Sequence, residues 1–139
     1  MSLSEEKLFR VFRWCVAVGA CCAGASVGFG AFGAHSLRSV LSSEMFAVFE
    51  TGVRYQFYHA FGLILCGLAG LKGGNFRPLW LLASAGLFAA GIVLFSGSLY
   101  TMSLSGIRAV GALTPLGGLA FITGWVAFAG ACVLQKKSL

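Results

Sequence analysis

The chain contains no aspartate, and its acidic side chains are only Glu5, Glu6, Glu44 and Glu50. None of the four falls inside an uncharged stretch. Proton-coupled transporters generally hold an ionisable group within the membrane, so this shortage weighs against that class. Charged residues of both signs make up 10% of the chain, whereas a soluble domain carries about a quarter. A water-exposed globule is thereby excluded. The cysteines, Cys15, Cys21, Cys22, Cys66 and Cys132, form no Cys-x-x-Cys pair, and none lies close in sequence to His35 or His59. Dithiol exchange and zinc ligation both need such spacing, so the thiols read as small apolar fillers. No cofactor or metal is expected.

What the chain has instead is length without charge. Uncharged stretches run from Trp14 to Ala34, Tyr55 to Leu71, Pro78 to Ile107 and Ala109 to Gln135. A bilayer core takes about 20 apolar residues per helix, and the mean hydropathy is +0.90. The expectation is an all-α integral membrane four-helix bundle, a single domain over 1–139 with spans near 14–34, 55–71, 78–100 and 110–133. The formal charge of +6 is no sign of nucleic acid, because the bases sit in short segments between apolar runs. Lys7, Arg10, Arg13, Lys72, Arg77, Lys136 and Lys137 fall on one side of such a bundle, and Arg38, Arg54 and Arg108 on the other. The positive-inside rule then puts both termini in the cytoplasm, in a membrane read as the bacterial inner (plasma) membrane.

Details of the threading follow from turn chemistry. Pro78 suits the first turn of a helix, where its missing N–H costs nothing, and Lys72-Gly73-Gly74-Asn75 reads as a tight turn. The third run should cross the membrane by Ser98 to Tyr100, leaving Met102 to Gly106 as the outer turn. Apolar and charged residues alternate irregularly over 43–54, which predicts a short amphipathic helix on the outer surface, capped by Ser43 and running into the second span near Gly52. Basic residues before an apolar stretch also describe a secretory signal, and Val18-Gly19-Ala20-Cys21 approaches a lipoprotein cleavage site. The run continues to Ala34, which favours an uncleaved span. Ala20, Gly24 and Gly28 repeat at four-residue spacing, a small-residue stripe that lets helices approach closely in lipid. Packing inside the bundle is the first reading of that stripe, and self-association the second.

Threaded in this way, the remaining polar groups converge on the outer third. His35 ends the first span, Arg54, Tyr55, Gln56 and His59 open the second, Ser96, Ser98 and Tyr100 close the third, and Arg108 precedes the fourth. Tyr55 and His59 lie i, i+4 on one helix face, and Glu50 and Arg54 have the favourable acid-first i, i+4 order. Pro115 lacks a helix donor, which predicts a free carbonyl at Gly111. His59, Tyr55, Gln56, Arg54, His35, Ser96, Tyr100 and Arg108 are therefore the candidate ligand-binding residues; none is assigned a catalytic role. Each has a plainer reading as well: His59 as a neutral link between helices, His35 as a partner of a helix C-terminus, the arginines as snorkelling to phosphates, the tyrosines as interfacial belt.

Gly30-Ala31-Phe32-Gly33-Ala34-His35, the pattern Thr51-Gly52-x-x-Tyr55-Gln56-x-x-His59, Leu94-Phe95-Ser96-Gly97-Ser98-Leu99-Tyr100 and Thr114-Pro115-x-Gly117-Gly118 carry a resemblance. Together they resemble the uncharacterised YgdD family of small membrane proteins, whose vertebrate relative is called transmembrane protein 256. The likeness covers the chain from about Phe12 to Val133. It implies a four-span membrane protein and brings no reaction or ligand with it.

The function expected is that of a non-enzymatic accessory or scaffold protein, or of a lipid-interacting bundle, with a polar cluster at its outer end. Its partners would be membrane lipids, further copies of itself or a larger membrane complex, with no nucleic acid. The alternative is an oligomeric small-solute or ion transporter with His59 as the titratable group. Haem between His35 and His59, and a serine nucleophile, Ser96 or Ser98, served by His59, are further readings.

Overall fold

A backbone in lipid must satisfy its own hydrogen bonds, and every long apolar run of this chain is helical. The structure, a computed structural model, describes residues 3–74 and 76–134. The helices are α1 (Leu3–Phe32), α2 (Ser43–Lys72), α3 (Pro78–Gly91), α4 (Gly97–Ser105) and α5 (Thr114–Val133). A π-turn at Gly33–Leu37 extends α1, a second at Ile92–Ser96 joins α3 to α4 as one rod, and a 3₁₀ segment, Arg108–Leu113, leads into α5. There are thus four helical rods and no strand among the described residues. Three rods are long and apolar enough to cross a membrane: 4–37, 78–105 and 108–133.

The remaining rod, α2, falls short of that apolarity because it carries Gln56, His59 and two tyrosines as well as charged residues near both ends. Gln56 and His59 are each 5% exposed, while Phe61, Leu65 and Leu68 on the opposite side are open. α2 is the central helix: it packs against α1, α3, α4 and α5, and α1 rests chiefly on α2. A helix that turns its polar side to protein does not need a uniformly apolar surface. The segment 43–54 is continuous with the rest of α2 over thirty residues. Its cap is Ser42, one residue earlier than expected, whose hydroxyl accepts from the Met45 N–H at 3.2 Å.

The rods alternate in direction, so their ends collect at two poles. At one pole Phe12 packs with Leu81, Ala131, Leu8, Leu71 and Phe76, and Arg77 Nε donates to the Leu134 carbonyl. Lys7, Arg10, Arg13, Lys72 and Arg77 all belong to this basic pole. Lys136 and Lys137, like Asn75 of the expected turn, lie outside the described residues. The turn there rests on Gly73 and Gly74, at φ +67° and +83°, a region that side chains with a Cβ disfavour. The opposite pole holds the Gly33–Leu37 turn, the end of α4 and the Arg108–Leu113 segment. α4 continues to Ser105 before Gly106 turns the chain at φ +74°, so 102–105 is helix rather than loop. Pro115 stands in the first turn of α5, and the Gly111 carbonyl accepts from the Thr114 N–H; it is not left free.

Glycines set the helix spacing, at positions other than those the stripe suggested. A Cβ on Gly19 would lie 2.8 Å from the Ala60 carbonyl oxygen, and one on Gly67 2.7 Å from the Phe12 oxygen. At these two points α1 and α2 meet backbone to backbone. Gly24 and Gly28 have nothing within 4 Å. The Ala20–Gly24–Gly28 stripe therefore faces away from the bundle, and the seam runs about one residue to the side of it, through Val16, Gly19 and Ser26.

Candidate functional site

The polar side chains of the far pole sort into two groups on different sides of α2. The first joins three helices. Gln56 Nε2 donates to the Cys22 carbonyl of α1 at 2.9 Å, a carbonyl that also accepts from the Ser26 hydroxyl at 2.9 Å. The Tyr100 hydroxyl of α4 donates to Gln56 Oε1 at 3.0 Å. Gly52 makes this approach possible, since a Cβ there would sit 2.8 Å from the Tyr100 ring. Phe29 and Phe49 flank that ring with centroids at 5.3 and 5.2 Å. Both ends of the Gln56 amide are thus engaged, which is what a buried amide needs to avoid a desolvation cost.

The second group surrounds His59. Its Nδ1 lies 2.7 Å from the Tyr55 carbonyl, and because a carbonyl only accepts, Nδ1 carries a proton. The imidazole lies flat on Phe121 of α5, centroids 3.4 Å apart and planes at 6°. Phe88 and Trp125 stand at 5.7 and 6.1 Å. Tyr55 stacks on Phe95 at 4.6 Å, and its ring is 40% exposed. An aromatic wall therefore covers the face of His59 turned to α5.

The other candidates do not join either group. Ser98 bonds Thr114 Oγ1 at 2.8 Å and the Phe95 carbonyl, tying α4 to α5. Ser96 is fully buried in the second π-turn, and its Oγ has no hydrogen-bond partner; the π geometry gives the Ile92 carbonyl to the Gly97 N–H. Neither serine is hydrogen-bonded to His59. Arg54 donates to Thr51 Oγ1 at 3.3 Å, in place of the expected pair with Glu50. Arg108 reaches Glu44 at 3.6 Å, with both side chains well exposed, so this pair contributes little, about 0–1 kcal/mol. His35 is exposed in the first π-turn. No group of three or more His, Cys, Asp or Glu residues suited to a metal occurs among the described residues.

Sequence reasoning missed Ser26, Thr114, Phe121 and a buried tie nearer the basic pole. There Ser84 donates to the Gly124 carbonyl at 2.8 Å and receives the Cys66 thiol at 3.3 Å. The available signal was a single serine or threonine in an otherwise apolar helix, which in lipid has to find an acceptor.

The four motif segments quoted above all fall within one stretch. The model of a family described as "Protein of unknown function (DUF423)" matches residues 29–118. The chain belongs to this DUF423 family. Similar proteins are the UPF0382 membrane protein SH2409 of Staphylococcus haemolyticus, 46% identical over 80% of this chain and 88% of its own, and YwdK of Bacillus subtilis, 45% identical over 85% and 94%. The UPF0382 inner membrane protein YgdD of Escherichia coli is 38% identical over 81% and 85%. These relatives bear out the YgdD-like resemblance: the DUF423 chain is a small membrane protein of a family without an established biochemical role. No solved structure matches it at a significant level.

Proposed function

We propose that this DUF423 protein is a four-span accessory protein of the bacterial inner membrane, a helical bundle with both termini in the cytoplasm that works by association rather than turnover. The observation that carries the reading is the Tyr100–Gln56–Cys22 junction. Polar groups that a binding site would offer to a ligand are here engaged by neighbouring helices. The far-pole cluster then acts as a seam that fixes α1, α2 and α4 to one another, with Arg54 and Arg108 at the headgroup level. Support for the topology comes from the clustering of five basic residues at the pole where α1 and α3 begin. The outward stripe of α1, bare at Gly24 and Gly28, is the face available to a second copy or to another membrane protein.

Native mass spectrometry of the protein released gently from its own membrane tests this. The expected result is a defined oligomer or complex that is lost in Gly24→Leu/Gly28→Leu while the helical circular dichroism is kept. A bare monomer from the wild type would refute association. In proteoliposomes the expected result is no pH-dependent solute flux, and flux abolished by His59→Phe would replace this reading with transport.

A further inference from the structure

The basic pole carries two adjoining hollows that the far-pole cluster does not involve. One is a shallow space of about 380 Å³ on the exposed face of α1, bordered by Arg10, Arg13, Trp14 and Ala17. The other, of about 320 Å³, is a groove between α1 and α3. Val11, Cys15 and Val18 form one wall, and Leu82, Gly86 and Ala89 the other. Trp14 borders both hollows. α1 and α3 both start at the basic pole, so the groove runs parallel to the helix axes for about 10 Å, seven residues at 1.5 Å each. A Cβ added to Gly86 would meet nothing within 4 Å, so the groove is open there. Neither Arg10 nor Arg13 makes an ion pair with a carboxylate among the described residues. Two cations, an indole beside them and an apolar channel parallel to the helix axes match one chemistry. A phosphate needs the first, the headgroup boundary suits the second, and an acyl chain fills the third.

We propose that the basic pole of α1 and the α1–α3 groove together hold one anionic phospholipid, its phosphate between Arg10 and Arg13 and one acyl chain along the groove. Charge complementarity selects an anionic lipid over a zwitterionic one, and the two-part shape selects a lipid over a free phosphate. The site stands on the opposite pole from the Gln56–Tyr100 seam and does not depend on the accessory role.

The test is native mass spectrometry of the full chain in detergent with equal dioleoyl phosphatidylglycerol and dioleoyl phosphatidylcholine. The wild type is expected to keep one phosphatidylglycerol in preference. Arg10→Gln/Arg13→Gln should lower that preference about twenty-fivefold, from roughly fivefold per arginine near an anionic headgroup. Gly86→Phe, whose side chain enters open space, should lower retention of both lipids with the circular dichroism unchanged. Equal retention of the two lipids by the wild type overturns the proposal, and so does loss in only one of the two variants. A dimer of the chain that Gly86→Phe dissociates would give the groove to a second copy instead.

Discussion

Replacing Gly67 and Gly24 separately by alanine tests the packing of α1 on α2 at its closest backbone approach. At Gly67 the new methyl would stand 2.5 Å from Val16 Cγ2, 2.7 Å from the Phe12 oxygen and 2.9 Å from the Val16 nitrogen. Two of the three are backbone atoms, which no rotamer change can remove. To bring the Phe12 oxygen to an ordinary 3.4 Å contact, α1 has to retreat by about 0.7 Å. Overpacking of this kind costs about 1–3 kcal/mol. Alanine also favours a helix over glycine by about 0.8–1.0 kcal/mol, but that gain is common to both positions. The difference between the two variants therefore isolates the clash: Gly67→Ala should be less stable than Gly24→Ala by about 1–3 kcal/mol. Unfolding by sodium dodecyl sulfate in mixed micelles, followed by far-ultraviolet circular dichroism, measures it. Equal stabilities would mean that α1 presents a different face to α2.

Further outcomes follow from the same geometry. In a double-mutant cycle, Gln56→Leu and Tyr100→Phe should couple by about 0.6–1.7 kcal/mol, the range of interhelical hydrogen bonds in membranes; additive effects would deny the bond. His59→Phe keeps a ring against Phe121 and loses only the bond to the Tyr55 carbonyl, so it should cost about 0.5–1.5 kcal/mol. Phe121→Ala removes the ring and should cost about 3–5 kcal/mol; the opposite ranking in the micelle assay would refute the stacked arrangement. In a cysteine-free background, Ile107→Cys should react with an impermeant maleimide on intact cells and Lys72→Cys only after lysis. The reverse pattern would invert the proposed topology.

The features legible in the sequence were those that depend on composition along the chain. The grouping of Lys7, Arg10, Arg13, Lys72 and Arg77 announced a common pole, and the uncharged runs announced the helices. Rotation about a helix axis was not legible. Gly24 and Gly28 have the same four-residue spacing as a packing seam, yet Gly19 faces α2 and they do not, because adjacent small-residue stripes on one helix look alike until a partner is placed. Gln56 and His59 lie one turn apart on α2. Their division between α1 and α5 depends on which neighbour flanks each side of α2, and spacing carries no such information. The contact of Glu44 with Arg108 crosses from α2 to the segment before α5, a proximity that only the folded chain creates.

The position of α2 also bears on how the protein is made. A helix whose Gln56 and His59 are covered only by neighbouring helices is a poor substrate for insertion by itself. On the four-span reading, α1 leaves the translocon first and already displays the Cys22 carbonyl that Gln56 needs, so α2 enters lipid as half of a hairpin. Tyr100 arrives with the third rod and closes the junction from the other side. On that reading Gln56 meets its α1 acceptor as α2 enters and gains its second partner only when the third rod arrives.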